Sequence, residues 1–234
     1  NGVFDRTNTV WVGDVKYKDI SGPDGVPDGV IDDYDKTNIG SPMPKFTFGW
    51  TNTFRYKNFD LSVFINGSYG NKVYNYLSMK LTHMNSPWTN QLNAVNGRAQ
   101  LVPINPNKVY EDGTMWYNDV SNVMVANPGA SIPRATINDP NDNDRISDRY
   151  IEDGSYIRLK NISLGYTFPK KTIDKLGLSN LRIYANIQNL LTITGYDGYD
   201  PEIGASTSSV NVYGLDNGRY PSPTVYSFGL NVSF

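Results

Sequence analysis

The chain has no cysteine and one histidine, His83, in 234 residues. Lack of cysteine excludes disulfide scaffolds, thiolate nucleophiles and cysteine-ligated zinc. A single histidine leaves no multi-His metal site and no H-E-x-x-H zinc helix. There is also no G-x-S-x-G elbow, phosphate-binding loop or dinucleotide fingerprint, so the chain reads as a non-enzyme. Charge is sparse and balanced: 19% charged residues and a net charge of -2. With no Lys/Arg run, a nucleic-acid partner is not expected. No stretch approaches the roughly 18 apolar residues of a membrane helix, and Asn1 follows no leader pattern, so a mature segment or fragment is expected. A barrel strand gives a far weaker signal than a membrane helix, so these absences do not bear on a β-barrel.

What the chain has is aromatic: 17 Tyr, 9 Phe and 4 Trp against a mean hydropathy of -0.47. Their placement is periodic. From Phe46 to Tyr56 the even positions are Phe46, Phe48, Trp50, Phe54 and Tyr56, broken only by Asn52, while the odd positions carry Thr, Gly and Arg. After Lys57-Asn58 the apolar set moves to Phe59, Leu61, Val63 and Ile65. Such period-2 alternation marks strands with two unlike faces, here joined as a hairpin. A third strand over about Tyr156–Phe168 changes parity between Leu159 and Ile162, which predicts a bulge near Lys160-Asn161. A fourth spans about Leu181–Ile193. The fifth sets Tyr226, Phe228, Leu230, Val232 and Phe234 against Ser227, Gly229, Asn231 and Ser233.

Short and long connections alternate: two residues, then 70–155, then twelve, then 194–223. Outer-membrane barrels combine short periplasmic turns with long extracellular loops. The expected fold class is therefore all-β, the antiparallel strands of a large transmembrane barrel. Strands one, three and five run toward the periplasm, and so does the C-terminus. Phe46, Phe48, Tyr69, Tyr226 and Phe228 fall at the outer interface; Phe54, Tyr56, Phe59, Tyr166, Phe168 and Phe234 fall at the inner one, the two bands expected of a lipid bilayer partner. Five strands cannot close a barrel, about eight being the minimum, so residues 1–234 are expected to be part of a larger one. The competing readings are a soluble cell-surface glycan-binding β-sandwich and a passive porin.

Several ordered stretches carry a family resemblance: GDVKYKDISGPDGVPDGVIDDYDKTNIGSPMPKFTFGW (Gly13–Trp50), YKNFDLSVFINGSYGNKVYN (Tyr56–Asn75), YIEDGSYIRLKNISLGYTFPK (Tyr150–Lys170), LRIYANIQNLLTITGYDGYDPE (Leu181–Glu202) and GRYPSPTVYSFGLNVSF (Gly218–Phe234). Together they resemble the C-terminal part of SusC/RagA-type TonB-dependent outer-membrane transporters; residues 76–149 show no match. The resemblance implies a barrel of about 22 strands, a SusD-like surface lipoprotein as lid, and TonB-driven import of oligosaccharides or peptides. It places the plug and the TonB contact in an N-terminal region outside this sequence. It also leaves open a dimer of transporter–lipoprotein pairs. The final strand, Tyr226, Phe228, Leu230, Val232 and Phe234, fits the pattern that the outer-membrane assembly machinery reads.

Local motifs yield candidates. Asp24, Asp28, Asp32 and Asp35 lie in a loop that partly matches a calcium-loop spacing, with Asp28-Gly29 at its fifth and sixth positions. Val26 at the third position offers no side-chain oxygen, which favours an Asx-rich hydrogen-bonded loop over calcium. Trp88, Trp116 and Tyr117 in one long loop, with Tyr196 and Tyr199 in the other, are the rings available to a ligand or lid. Val73, Leu77, Leu81 and Met84 recur at helical spacing and predict a helix over 71–84, with His83 solvated at its end. Adjacent acids such as Glu111-Asp112 and Glu152-Asp153 are poor candidates for a glycosidase pair in a chain with 23 acidic residues.

Overall fold

The computed structural model describes residues 4–5, 10–137, 139–203, 205–206 and 209–234. The chain divides into two compact units, one of residues 1–39 with 77–150, the other of residues 40–76 with 151–234.

The second unit is built on five long strands: β1 (Phe46–Tyr56), β2 (Phe59–Tyr69), β3 (Tyr156–Thr167), β4 (Asn180–Thr194) and β5 (Val225–Ser233). They form one sheet in the order β5-β4-β3-β2-β1, with every pairing antiparallel. All five expected strands are present within two residues of their expected bounds. Register carries the apolar pattern across the sheet. Phe54 stands opposite Leu61, Leu61 opposite Leu164, Leu164 opposite Ala185, and Ala185 opposite Phe228.

The expected bulge is there. Phe64 pairs with Asn161 and Ile65 with Leu159, so Lys160 has no partner on β2. That extra residue returns Ile157 and Leu159 to the face of Ile162 and Leu164, and the parity change in sequence disappears in space. A second irregularity was not expected. On β4, Gln188 pairs with Asn161 but Leu191 with Leu159, and Asn189 between them sits at φ 52. Asn tolerates that left-handed backbone better than most residues. Its carbonyl accepts from Thr224 Oγ1 (2.9 Å) and its Nδ2 donates to the Pro223 carbonyl (3.0 Å), which fixes the entry to β5.

The apolar face is open to the surroundings. Phe46, Trp50, Phe54, Tyr56, Phe59, Ile157, Leu164, Ile183, Leu191, Ile193, Tyr226 and Leu230 are all exposed, and Phe228 is 83% exposed. The opposite face is polar and cross-linked. Arg182 on β4 reaches over Gly165 on β3 to Asp60 on β2, with Nη2–Oδ2 at 2.6 Å and Nε–Oδ1 at 3.2 Å. Glycine is required there, because a Cβ on Gly165 would lie within 2.6 Å of both partners. Phe64 covers Gly49 on the same face; on the apolar face Phe48 covers Gly67. Aromatic rings laid over strand glycines pin register.

A correction concerns the helix expected over 71–84. Lys72–Asn75 is instead a short strand, antiparallel to Ile151–Asp153 and parallel to Leu215–Asp216; the helix α1 is only Tyr76–Thr82. Val73 is fully buried between these neighbours, and that tertiary pairing overrides the helical spacing.

The first unit has little regular structure: a parallel pair Phe4–Asp5 with Val30–Ile31, a hairpin of Leu101–Pro103 with Val123–Val125, and several single 3-10 turns. Its buried apolar residues include Ile31, Met79, Ala99, Val123 and Ile132; Asn122, Asp139, Asn141 and Asn143 are buried with them.

Gly67→Ala should be poorly tolerated, since the new Cβ meets the Phe48 ring at 2.5 Å and the Tyr156 carbonyl oxygen at 2.6 Å. Overpacking of this kind costs about 1–3 kcal/mol. Gly195→Ala, where nothing lies within 4 Å, is the matched control. Thermal unfolding of the full-length protein in detergent should show a lowered midpoint for the first and none for the second.

Candidate functional site

The second unit's long terminal loop, 194–223, is tied down by buried charge. Arg158 enters β3 near the end at which that loop emerges, and is 3% exposed. It donates from Nε to Thr192 Oγ1 (2.8 Å), from Nη1 to Glu202 Oε2 (2.7 Å) and from Nη2 to Asp200 Oδ1 (2.5 Å). Lys160, the bulge residue, adds a second cation at 2.8 Å from Glu202 Oε2. Burial alone would raise the Asp200 carboxyl. The Arg158 guanidinium and the backbone N–H groups of Ser222 and Glu202 outweigh it and bring it down to about 2.

The loop's other leg is held separately. Leu215–Asp216 pairs with Tyr74–Asn75. Asp216 is almost fully buried, accepts from the Gly218 and Arg219 N–H groups, and takes the Tyr196 hydroxyl at 2.6 Å. Burial, and then that carboxylate, push the Tyr196 hydroxyl well above the usual phenol range. Glu152 accepts from Asn75 Nδ2 (2.8 Å) and from the Asp197 N–H (2.9 Å), and so fastens the start of the loop to the strand Lys72–Asn75.

These contacts sort the candidate rings. Tyr199 is exposed, one residue before the clamped Asp200. Tyr196 is a correction: it is buried with its hydroxyl spent on Asp216, and offers nothing to a ligand or lid. In the first unit Trp88 is 93% exposed just after Ser86-Pro87. Trp116 and Tyr117 share a 3-10 turn and meet edge-on, their centroids 5.7 Å apart. Trp11 Nε1 donates to the Tyr117 carbonyl at 3.2 Å.

His83 is a second correction. It is not solvated: its ring lies between two carboxylates, Nε2 at 2.7 Å from Asp139 and Nδ1 at 3.2 Å from Asp144. Asn143 donates to Asp139 and Asp14, while its own Oδ1 accepts from Val15 N–H at 2.7 Å. Arg134 completes the network with Nε 2.8 Å from Asp14 Oδ1. Among the described residues, His83, Asp139 and Asp144 are the one trio of His, Asp or Glu with ligand atoms all within 4.8 Å of one another.

Asp24, Asp28, Asp32 and Asp35 therefore form no such trio. Asp35 accepts from the N–H groups of Ile20, Ser21 and Asp32; Asp32 caps Tyr34; Asp28 accepts from Val30; the nearby Asp19 accepts from Gly29. Three of the four carboxylates, Asp28, Asp32 and Asp35, thus hold the loop's own backbone N–H groups, as in an Asx-rich turn.

No family model matches the chain. The TonB-dependent receptor P3 of Formosa agariphila is 36% identical over 211 residues, 88% of this chain and 18% of that receptor. The TonB-dependent receptor SusC of Bacteroides thetaiotaomicron is 29% identical over 209 residues, 88% of this chain and 17% of SusC. The chain belongs to the SusC/RagA family of TonB-dependent receptors. It spans about a fifth of the length of these relatives. The solved RagAB peptide transporter shares the fold of this SusC/RagA segment, with a TM-score of 0.59 at 20% identity over 83% of this chain and 18% of that one.

The clamp was missed in sequence because Asp200 and Glu202 lie 42 and 44 residues beyond Arg158. The one available signal was the pair of cations Arg158 and Lys160 at the head of a strand that continues with Asn161, Ser163 and Gly165. Arg158→Ala should free the loop, because it leaves the buried Asp200 without its cation and Glu202 with Lys160 alone; breaking a buried pair costs about 3–5 kcal/mol. Limited proteolysis of the full-length receptor should then cut within 203–214 faster than in wild type. Asp200 titrates at about 2 folded against an ordinary 3.8, so the anchoring is complete above about pH 4 and is lost as pH falls through about 2. Hydrogen exchange in 195–203 should rise over that window.

Proposed function

We propose that this chain forms five consecutive wall strands, with two outer loops, of a closed barrel of about 22 strands in the outer membrane. The parent protein imports oligosaccharides or peptides with energy delivered through TonB. The observation that carries this reading is the five-strand sheet whose continuous apolar face is exposed while its other face is polar and cross-linked by Arg182–Asp60. In water such a face is an aggregation hazard; in hydrocarbon it is the ordinary outside of a barrel. A soluble β-sandwich would bury that face under a second sheet, and the other sheets among the described residues have only two or three strands.

Orientation follows from connection length. The two short turns face the periplasm, and the loops 70–155 and 194–223 face outward. A SusD-like lipoprotein then sits over the outer loops, and Trp88, Trp116, Tyr117 and Tyr199 are the rings that meet ligand or lid. The relatives are TonB-dependent receptors, and the role read here for the parent protein is passage rather than bond-making. Two such barrel–lipoprotein pairs assembling as a dimer fits the same reading. Calcium at Asp24, Asp28, Asp32 and Asp35 would share carboxylates that already accept backbone N–H groups at Asp28, Asp32 and Asp35, and transport as proposed does not require it.

Two measurements test the reading. The full-length protein should need detergent to remain monodisperse, and should migrate differently on gels when unheated and heated; a water-soluble monomer would sink the barrel. Trp88→Ala should weaken ligand retention or lipoprotein association by at least about ten-fold, about 1.4 kcal/mol, as measured by calorimetry on the purified pair. Running the titration with oligosaccharide and peptide pools in turn identifies the cargo class.

A further inference from the structure

The short-turn end of the sheet carries an unbalanced positive charge. The β1–β2 turn contributes Lys57; the β3–β4 turn, with its short helix Lys170–Ile173, contributes Lys170, Lys171 and Lys175. All four are exposed, and no ion pair among the described residues involves any of them. Against them the two turns hold one acid, Asp174.

The two turns form one surface. The Thr167 N–H donates to the Asn58 carbonyl and Asn58 Nδ2 donates to the Thr167 carbonyl, both at 2.9 Å. Directly behind lies an aromatic row: Phe59 and Tyr166 have centroids 4.7 Å apart, and Tyr166 and Phe168 5.0 Å. Lys57 Nζ stands 5.3 Å over the Tyr56 ring. In the same turn as Lys175, Leu176 is 68% exposed. Lys57 also occupies a backbone position at φ 53, where glycine or asparagine would sit without strain. A residue kept in an unfavourable conformation points to a role for its side chain.

We infer that this surface binds the headgroups of acidic phospholipids in the periplasmic leaflet. The inference rests on the membrane reading proposed above, which sets this end of the sheet at that leaflet. The aromatic row fixes the depth of the headgroup layer, and the four ammonium groups just beyond it meet lipid phosphates. Lysines near an anionic leaflet each contribute about five-fold in partitioning, and they act together.

The test uses the full-length receptor in uncharged detergent, titrated with phosphatidylglycerol or phosphatidylcholine, with bound lipids counted by native mass spectrometry. Wild type should retain phosphatidylglycerol at least ten-fold better than phosphatidylcholine. Lys170→Gln/Lys171→Gln/Lys175→Gln should lose that preference, and the triple Lys→Arg protein should keep it. Lys57→Asn, which relieves the turn, should lower the preference about five-fold without lowering thermal stability. Equal retention of the two lipids by wild type, or an unchanged preference in the Gln protein, overturns the inference; the second outcome would assign the lysines to an acidic periplasmic protein instead. A detergent-dependent barrel with no lipid preference leaves the transport reading standing, whereas a receptor soluble without detergent overturns both.

Discussion

Everything in the five-strand unit depends on keeping one apolar face unbroken from β1 to β5. A slip of one residue in any pair turns that strand's hydrocarbon side inward and its polar side out. Three devices hold the register. Lys160 bulges so that two out-of-phase apolar runs share a face. Phe48 and Phe64 cover strand glycines. Arg182 bridges two strands to reach Asp60, a contact possible only because Gly165 lies between them. Each device would be wasteful in a soluble sheet, where a packed second layer sets the register. In the proposed barrel the apolar face meets fluid, featureless hydrocarbon, and order has to come from within the sheet.

The loops obey the opposite rule. They are held less by apolar cores than by buried polar groups, with Arg158 among Thr192, Asp200 and Glu202, and His83 between Asp139 and Asp144. Burying charge is expensive, and a buried pair is weak evidence for stability in itself. What it provides is a single arrangement, because any other leaves a carboxylate unpaired. For a loop rich in Gly, Ser and Asn, uniqueness is the scarce property. The clamp also explains why Tyr199 is offered outward while Tyr196, three residues earlier, is not.

The strands were legible in the sequence because period-2 alternation is a local signal, and so was the bulge at Lys160, since one extra residue reverses parity. The irregularity at Asn189 was not legible: β4 carries two residues more than β2 over the same span, and an even insertion leaves parity unchanged. The short strand Lys72–Asn75 was misread as helix because four residues are too few to show a period, and partners 80 and 140 residues away decide the outcome. His83 and Arg158 were legible as residue types but not as sites, because their carboxylates come from distant segments that no spacing rule joins.

The strands that bracket the 86-residue excursion, β2 and β3, are hydrogen-bonded neighbours from Phe59–Tyr166 to Ser68–Tyr156. Its two ends therefore leave the wall about 4.8 Å apart whatever lies between them. The entropy of closing such a segment grows only logarithmically with its length. Insertions, deletions or wholesale replacement there leave the wall's geometry untouched. If the excursion faces ligand as proposed, a lineage can change what its receptor recognises without altering the sheet, and the two can evolve at different rates within one chain.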